Sequence, residues 1–329
     1  MTNKLNIAVV GATSIKGEAF LGNLAKANLD IGKVFLLADE ASAGDYIDFG
    51  NKELLVALAG DFDFTQVQHV ILMGEPELSE YIYAAVEAAG CAVIDCSGFL
   101  GQRDDVSLAT FMDEQDVASI VAIPEATTLQ LWIVLQPILQ QTTITQLHIS
   151  VMQCAAQGGK AALEDLGQQT ARLLNFQEAQ PVFFEKQLAF NLIPRVGSIT
   201  DNGETTTEGV IINQLARLFV MPRVAIDVTM MWTPVFYGDV VTVSLQTQDT
   251  IDMQNLASDW QANPLLAFSS TELQTPVSNS SGNSAINLSR LRERHRLDET
   301  SCISFCSISD PVHLCAEATM LVLKNQLMG

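Results

Sequence analysis

The sequence predicts an α/β chain in two parts, a mainly parallel, doubly wound sheet followed by an α+β part with a mixed or antiparallel sheet. Three observations carry this. The apolar run Leu5–Val10 breaks directly into Gly11 and a helical pattern. Strands and helical stretches then alternate as far as about residue 130. From Thr143 onward period-two strands take over.

Leu5–Val10 (LNIAVV) has the length and β-branching of a buried parallel strand. Gly11 permits a tight turn. Ala12, Thr13, Ser14, Ile15, Lys16 and Gly17 follow and lead into a helix, whose first N–H groups can hold a pyrophosphate. The stretch therefore has the form of a nucleotide cradle. Ser14 stands where a phosphate comes nearest the backbone, and its side chain narrows the approach. A plain strand–turn–helix that binds nothing satisfies the same pattern. Glu18–Ala27 continues as helix, Lys33–Ala38 is the second strand, and Asp39–Gly44 is the loop at its end. Such a loop reads the adenosine ribose, and Asp39 and Glu40 there favour a free 2′-hydroxyl over a 2′-phosphate. Two solvated loop acids give the same sequence.

His69–Met73 is the third buried strand, Glu77–Ala89 a helix, Cys91–Asp95 the fourth strand and Ala118–Pro124 the fifth. Thr127–Leu139 forms a helix that Thr127 and Thr128 cap and that Pro137 ends or kinks. Beyond it come a strand at Gln146–Gln153, a loop at Ala156–Gly159 and a helix at Lys160–Leu174. Asn191–Val196 is irregular and Thr206–Leu218 helical. Val224–Trp232 and Val240–Thr247 are strands joined by Thr233–Asp239. Ser278–Ser284 (SNSSGNS) reads as a mobile polar loop, and Cys315–Leu327 as a closing helix.

A chain of 329 residues with 48% hydrophobic content predicts two domains with cores of their own. The net charge of −21, from 17 basic and 38 acidic side chains, is a poor footprint for nucleic acid. No apolar run is long enough to span a bilayer and no signal pattern opens the chain, which predicts a cytoplasmic protein. The six cysteines lack zinc-ligand spacing and the four histidines are scattered, so reduced thiols and no metal site are expected.

Six short segments then occur in an order that resembles the aspartate-β-semialdehyde dehydrogenase family: GATSIKG (Gly11–Gly17), SAGD (Ser42–Asp45), VIDCSGF (Val93–Phe99), IPEATTLQ (Ile123–Gln130), QLAFNLIP (Gln187–Pro194) and TPVFYGD (Thr233–Asp239). Within that family the chain is similar to the Usg-type paralogues, through Gly158–Asn175 and the QLAFN run. The resemblance implies a Rossmann-like NAD(P)-binding-type domain over residues 1–130 with the terminal helix 312–329. It implies an α+β domain over 131–311 that also forms a homodimer. Gly11, Thr13, Ser14, Ile15, Gly17, Asp39 and Ser42 then fall at the cofactor positions.

The family's chemistry uses a cysteine nucleophile, a histidine acid/base, a carboxylate-binding arginine and a glutamine. Here Ala126 stands for the cysteine, Asp239 for the histidine and Trp232 for the arginine, while Gln153 keeps the glutamine. Tyr237 replaces a second arginine. Leu100 replaces the phosphate-binding arginine, with Arg103 a displaced substitute, and Val210 and Thr207 fall at a helix Lys and Glu. The 2′-phosphate-binding arginine and lysine are Ala41 and Asp45, and a nicotinamide-orienting asparagine is Pro311. NADP is disfavoured and NAD allowed. The expected function is a paralogue that has lost catalysis and serves in regulation or binding, with an unassigned small-molecule or protein partner. The alternative is an oxidoreductase of amino-acid biosynthesis with altered or weak activity, for which Cys154, next to Gln153, is the one nearby thiol.

Overall fold

The computed structural model describes residues 4–27, 29–109, 118–219, 224–295 and 301–328. The chain divides into two units, residues 1–125 with 315–329, and residues 126–314. Helix α3 (Ala126–Gln141), which a boundary at residue 130 would cut, lies whole in the second unit.

In the first unit, strands β1 (Leu5–Val10), β2 (Ile31–Ala38), β3 (Tyr46–Phe49), β4 (Lys52–Leu58), β5 (His69–Leu72), β6 (Ala92–Asp95), β7 (Ser107–Leu108) and β8 (Ile120–Ala122) form one sheet. Its order is β3-β4-β2-β1-β5-β6-β8-β7, and every pair except β3–β4 is parallel. The order reverses direction on either side of β1, so the crevice at the carboxyl ends of β1, β2 and β5 is the switch point where doubly wound sheets bind ligands. Ile7–Val10 are fully buried, as a strand covered on both faces requires. Helices α1 (Ile15–Lys26) and α2 (Pro76–Ala88) belong to this unit. The β3–β4 hairpin was not expected. Its outward residues mix polar Asp48, Lys52 and Glu53 with apolar Tyr46 and Leu55, and only Val56 of β4 is buried.

The second unit holds a six-stranded sheet of order β10-β9-β11-β14-β13-β12. The strands are β9 (Ile144–Gln153), β10 (Ala225–Trp232), β11 (Asp239–Thr247), β12 (Leu266–Ser269), β13 (Ile286–His295) and β14 (Ser301–Ser309). β9–β10 and β12–β13 are parallel and the other pairs antiparallel, which makes the sheet mixed. The helices are α3, α4 (Gly159–Leu174), α5 (Thr206–Phe219) and α6 (Met253–Ala262). Trp260 of α6 is fully buried between Phe268 and Phe305 and donates its indole N–H to the Val134 carbonyl at 3.0 Å. Gln130 ties α3 to β14 through Ser307 at 2.6 Å and Ser309 at 2.9 Å.

Three expectations are corrected. Of the two outcomes expected of Pro137, an end or a kink, the helix does not end there but runs on to Gln141. Thr127 and Thr128 lie inside the first turn of α3 rather than at its cap, and the buried Thr128 hydroxyl has no hydrogen-bond partner among the described residues. The Ser278–Ser284 stretch is a tied turn instead of a loose loop. Pro276–Ser280 winds one wide helical turn, Thr275 caps it, Ser280 is buried, and Gly282 donates to the Asp310 carboxylate at 2.9 Å. Serine and asparagine side chains satisfy the backbone here, which low-complexity composition does not reveal. Finally, helix α7 (Pro311–Met328) begins on Asp310, whose carboxylate accepts from Val312 and His313. Pro311 takes the first helical position, where proline's missing N–H costs nothing.

Candidate functional site

In the first unit the turn after β1 is built by close approach. Gly11 has φ +75°, and a Cβ there would stand 2.2 Å from Gly74 Cα and N at the end of β5. Gly11 and Ala12 both donate to the Leu37 carbonyl at the end of β2, at 2.8 and 3.2 Å. A Cβ on Gly17 would meet the Gly11 carbonyl oxygen at 2.3 Å, so α1 packs down on the turn only because residue 17 is glycine. The helix starts at Ile15, earlier than the Glu18 start expected from the pattern. Ser14 is its cap. The Ser14 hydroxyl accepts from Gly17 N–H at 3.0 Å and donates to the Met73 carbonyl at 2.8 Å. That side chain consumes one N–H of the turn. Among the described residues the backbone N–H groups of Thr13, Ile15 and Lys16 have no protein acceptor and remain for an anion.

At the end of β2, the exposed Asp39 uses one carboxylate oxygen to accept from Ser42 N–H at 3.2 Å and its carbonyl to accept from Ala43 at 3.0 Å. Asp39 and Ser42 thus stabilise one another's turn. Arg103 does not stand free as a phosphate ligand: it pairs in two bonds with Asp105, at 2.7 and 3.0 Å, and lies over the Tyr83 ring. Leu100 is fully buried.

In the second unit Gln153, Trp232 and Asp239 gather around the end of β9. β9 and β10 end in register, Gln153 opposite Trp232. The connection after β10 is zipped onto the turn after β9: Thr233 donates to the Gln153 carbonyl, Ala155 to Val235 and Ala156 to Phe236, at 2.8–2.9 Å. Asp239 opens β11 and is buried. One of its oxygens accepts from Cys154 N–H at 2.8 Å and the other from the Gln157 amide at 3.0 Å. Burial raises its pKa to about 6 against these donors, and the Asp310 carboxylate adds to the rise. Ala126 is buried at the head of α3, and Gln153 is buried as well.

Trp232 belongs to an apolar cluster. Its ring meets Phe184 edge-on at 5.3 Å and Phe183 at 6.3 Å, beside Leu163, Leu173 and Ile193. Asp165 on α4 fixes that aromatic segment by accepting from the N–H groups of Val182, Phe183 and Phe184, at 2.8–3.1 Å. Cys154 is fully buried, and burial together with the Asp239 carboxylate pushes its thiol well above the ordinary value. A thiol so placed is a poor nucleophile.

Two groups escaped the sequence reading. The resemblance sets Val210 and Thr207 at the helix Lys and Glu positions, but the carboxylate that α5 buries is Glu208. It accepts from Thr205 N–H at 2.7 Å and Met230 N–H at 2.8 Å, while Thr205 accepts from Glu208 N–H. This is a capping box, and the Thr-x-x-Glu spacing was legible. The other is Lys16, whose ammonium donates to the Cys96 carbonyl at 3.4 Å, a contact that no local spacing announces.

A fold of this order, with a glycine turn at its switch point and a mixed-sheet second unit, defines a two-unit dehydrogenase-type chain. Family models agree. Residues 6–126 match the semialdehyde dehydrogenase NAD binding domain, and residues 135–312 the semialdehyde dehydrogenase dimerisation domain. The chain belongs to the semialdehyde dehydrogenase family. It is 30% identical over 300 residues to an aspartate-semialdehyde dehydrogenase of Vibrio mimicus, covering 89% of this chain and 95% of that one. It is 32% identical over 258 residues to a USG-1 protein homolog of Pseudomonas aeruginosa, covering 77% of each. The crystal structure of aspartate semialdehyde dehydrogenase II from Vibrio cholerae, complexed with ASA, superposes with a TM-score of 0.91 at 26% identity over 99% of both chains.

Proposed function

We propose that this chain is a family paralogue that keeps the two-unit fold and the dimer but does not carry out semialdehyde oxidation, serving instead in binding or regulation. Ala126 carries the reading, because a methyl group at the head of α3 cannot form the thioester-type bond that the chemistry needs. Two further positions agree. Asp239 has both oxygens committed to Cys154 and Gln157, so no lone acid/base faces a substrate. Trp232 offers an indole edge among phenylalanines where a carboxylate would need a cation. The altered-enzyme reading has only Cys154 to work with, and burial holds that group in its thiol form.

The residues at the β1 turn fit an NAD-type dinucleotide better than its 2′-phosphorylated form. Asp39, Glu40 and Asp45 ring the ribose end and no lysine or arginine stands in that loop. Bound there, the nucleotide would lie against Gly11, Thr13, Ile15 and Gly17. The homodimer is supported by the match to a dimerisation domain and by five large apolar side chains, Phe176, Val182, Phe190, Leu192 and Ile199, exposed in the second unit. Among the described residues no helix is long and apolar enough to cross a membrane. The six cysteines are free thiols, which fits a reducing compartment.

The deciding experiment uses protein purified from a host lacking its own semialdehyde dehydrogenase. With aspartate semialdehyde, phosphate and either nucleotide, absorbance at the reduced-nicotinamide band is expected to stay at the blank rate. Phosphate-dependent turnover above that rate would overturn the reading. Calorimetric titration in parallel is expected to give heat with NAD and none with NADP.

A further inference from the structure

The six-stranded sheet of the second unit has one covered face and one open face. Along β11, Val241, Val243 and Leu245 are buried, while Thr242, Ser244 and Gln246 between them are only half-buried. β14 alternates the same way between Phe305 and Ser304. Helices α3 and α6 lie on the first face, through Gln130 to Ser307 and Ser309 and through Trp260 to Phe305. Gln153, Trp232 and Asp239 fall on that same side of their strands, so the open face is separate from them.

The open face carries opposite charges at its two edges. Register takes one row straight across it: Asp227 of β10, His148 of β9, Ser244 of β11, Ser304 of β14 and Arg292 of β13. These side chains lie together. His148 Nδ1 stands 3.3 Å from the Asp227 carboxylate, and the Ser304 hydroxyl donates to that of Ser244 at 3.2 Å. The next row ends on Arg294, opposite Cys302. Asp227, Arg292 and Arg294 are exposed. Among the described residues no carboxylate pairs with either arginine, and Arg292 donates to the Arg290 carbonyl at 3.0 Å. The chain has net charge −21 and nine arginines, four of them within Arg290–Arg296, so this edge is where its positive charge collects. β12 pairs with β13 only as far as Ser289, which leaves the edge beside Arg292 and Arg294 open.

We propose that the open face seats a second copy of this chain, related to the first by a twofold axis that runs along the strands over β11. This assigns a face to the homodimer proposed above and rests on that reading. Such an axis turns the partner's sheet over and lays its β10 above β13. Asp227 then meets the partner's Arg292 and Arg292 the partner's Asp227, so the pair forms twice per dimer. β11, the middle of the five strands, faces its own copy through the small, uncharged Thr242 and Ser244, which let the sheets close to an ordinary spacing of ~10 Å. An axis across the strands would stack Asp227 on the partner's Asp227, and the two arginine edges on each other, so the charge polarity selects the first arrangement. Within one chain the two edges are about 19 Å apart, four strand spacings, which is beyond the screening length of about 8 Å at physiological salt. Their charges therefore need partners from outside the chain.

The test prepares Asp227→Arg and Arg292→Asp separately in the full chain. Both positions are exposed, and each variant is expected to keep a native circular dichroism spectrum. In its own homodimer each variant sets like charges against each other at two equivalent contacts. The dimer Kd, read by sedimentation over a dilution series, is expected to rise on the order of a hundredfold, about tenfold for each contact. An equimolar mixture of the two variants is expected to form a mixed dimer with Kd within a few-fold of wild type, because one contact then holds the introduced pair and the other the native pair, both of opposite sign. Mixing would not repair a fold damaged at either position. Variant dimers as tight as wild type would overturn the proposal and leave the homodimer standing on another face. Weakened dimers that mixing does not restore would overturn it as well. A wild-type chain that stays monomeric throughout the series would overturn the homodimer itself, and the proposal with it.

Discussion

Gly11→Ala is expected to destabilise the first unit by about 3–5 kcal/mol, the sum of left-handed strain at a residue with a Cβ and an overpacked contact that no side-chain rotation relieves. The atoms a new methyl meets are backbone, Gly74 Cα and N at 2.2 Å and Met73 C at 2.9 Å. To make room, β1 and β5 must part at their carboxyl ends, where Gly11 N–H also holds the Leu37 carbonyl. A loss of that size is a large fraction of the stability of an ordinary domain. Gly22→Ala is the matched control. It lies inside α1 with nothing within 4 Å of its would-be Cβ, so alanine there gains about 0.5–1 kcal/mol from helix propensity. Urea denaturation of the two variants and the wild type reads both signs at once. A Gly11→Ala midpoint equal to wild type would mean that the turn has an easy alternative conformation and is not built by close approach.

The parts that sequence made legible are those whose cause is local. Leu5–Val10 and Gly11 are contiguous, so the strand, the turn and the helix beyond it follow from spacing alone. The order of six short segments carried the family, and with it the second unit. What stayed hidden depends on partners distant in the chain. Glu208 looks like an ordinary helix acid until β10 brings the Met230 N–H to it. The β3–β4 hairpin has one solvated face and a charged Lys52-Glu53 start, so its period-two pattern is faint. Pro137 misled because a proline within a helix loses only one hydrogen bond, and the apolar burial of α3 from Ala126 to Ile138 outweighs that loss. The Ala126, Trp232 and Asp239 substitutions were visible as letters, but that the indole joins an aromatic cluster and the carboxylate is sealed needed coordinates.

Asp239→Asn is expected to raise stability by about 2–3 kcal/mol at pH 7–8 and to leave it unchanged below about pH 4. A carboxyl with a pKa near 6, at the position that the resemblance pairs with a histidine, invites an acid/base role, but its cause argues otherwise. Burial lifts the value, and the Asp310 carboxylate adds to it, while both oxygens already accept from Cys154 and Gln157. The sign follows from proton binding. The folded value of about 6 lies above the ordinary 3.8 of an unfolded chain, so between the two the folded state holds more protons. Stability is then greatest at low pH, falls as pH rises through that window, and stays low above it. Asparagine keeps the shape, accepts from Cys154 N–H through its carbonyl, and lets the Gln157 amide turn over to receive its NH₂. It carries no charge to desolvate. The difference in midpoint between variant and wild type, taken across pH 3.5 to 8, should therefore be flat, rise through the window and flatten again. A difference that does not change with pH would mean that Asp239 ionises without strain. In that case its carboxylate would be available to a ligand after all, and the case against an acid/base at this position would rest on Ala126 and Trp232 alone.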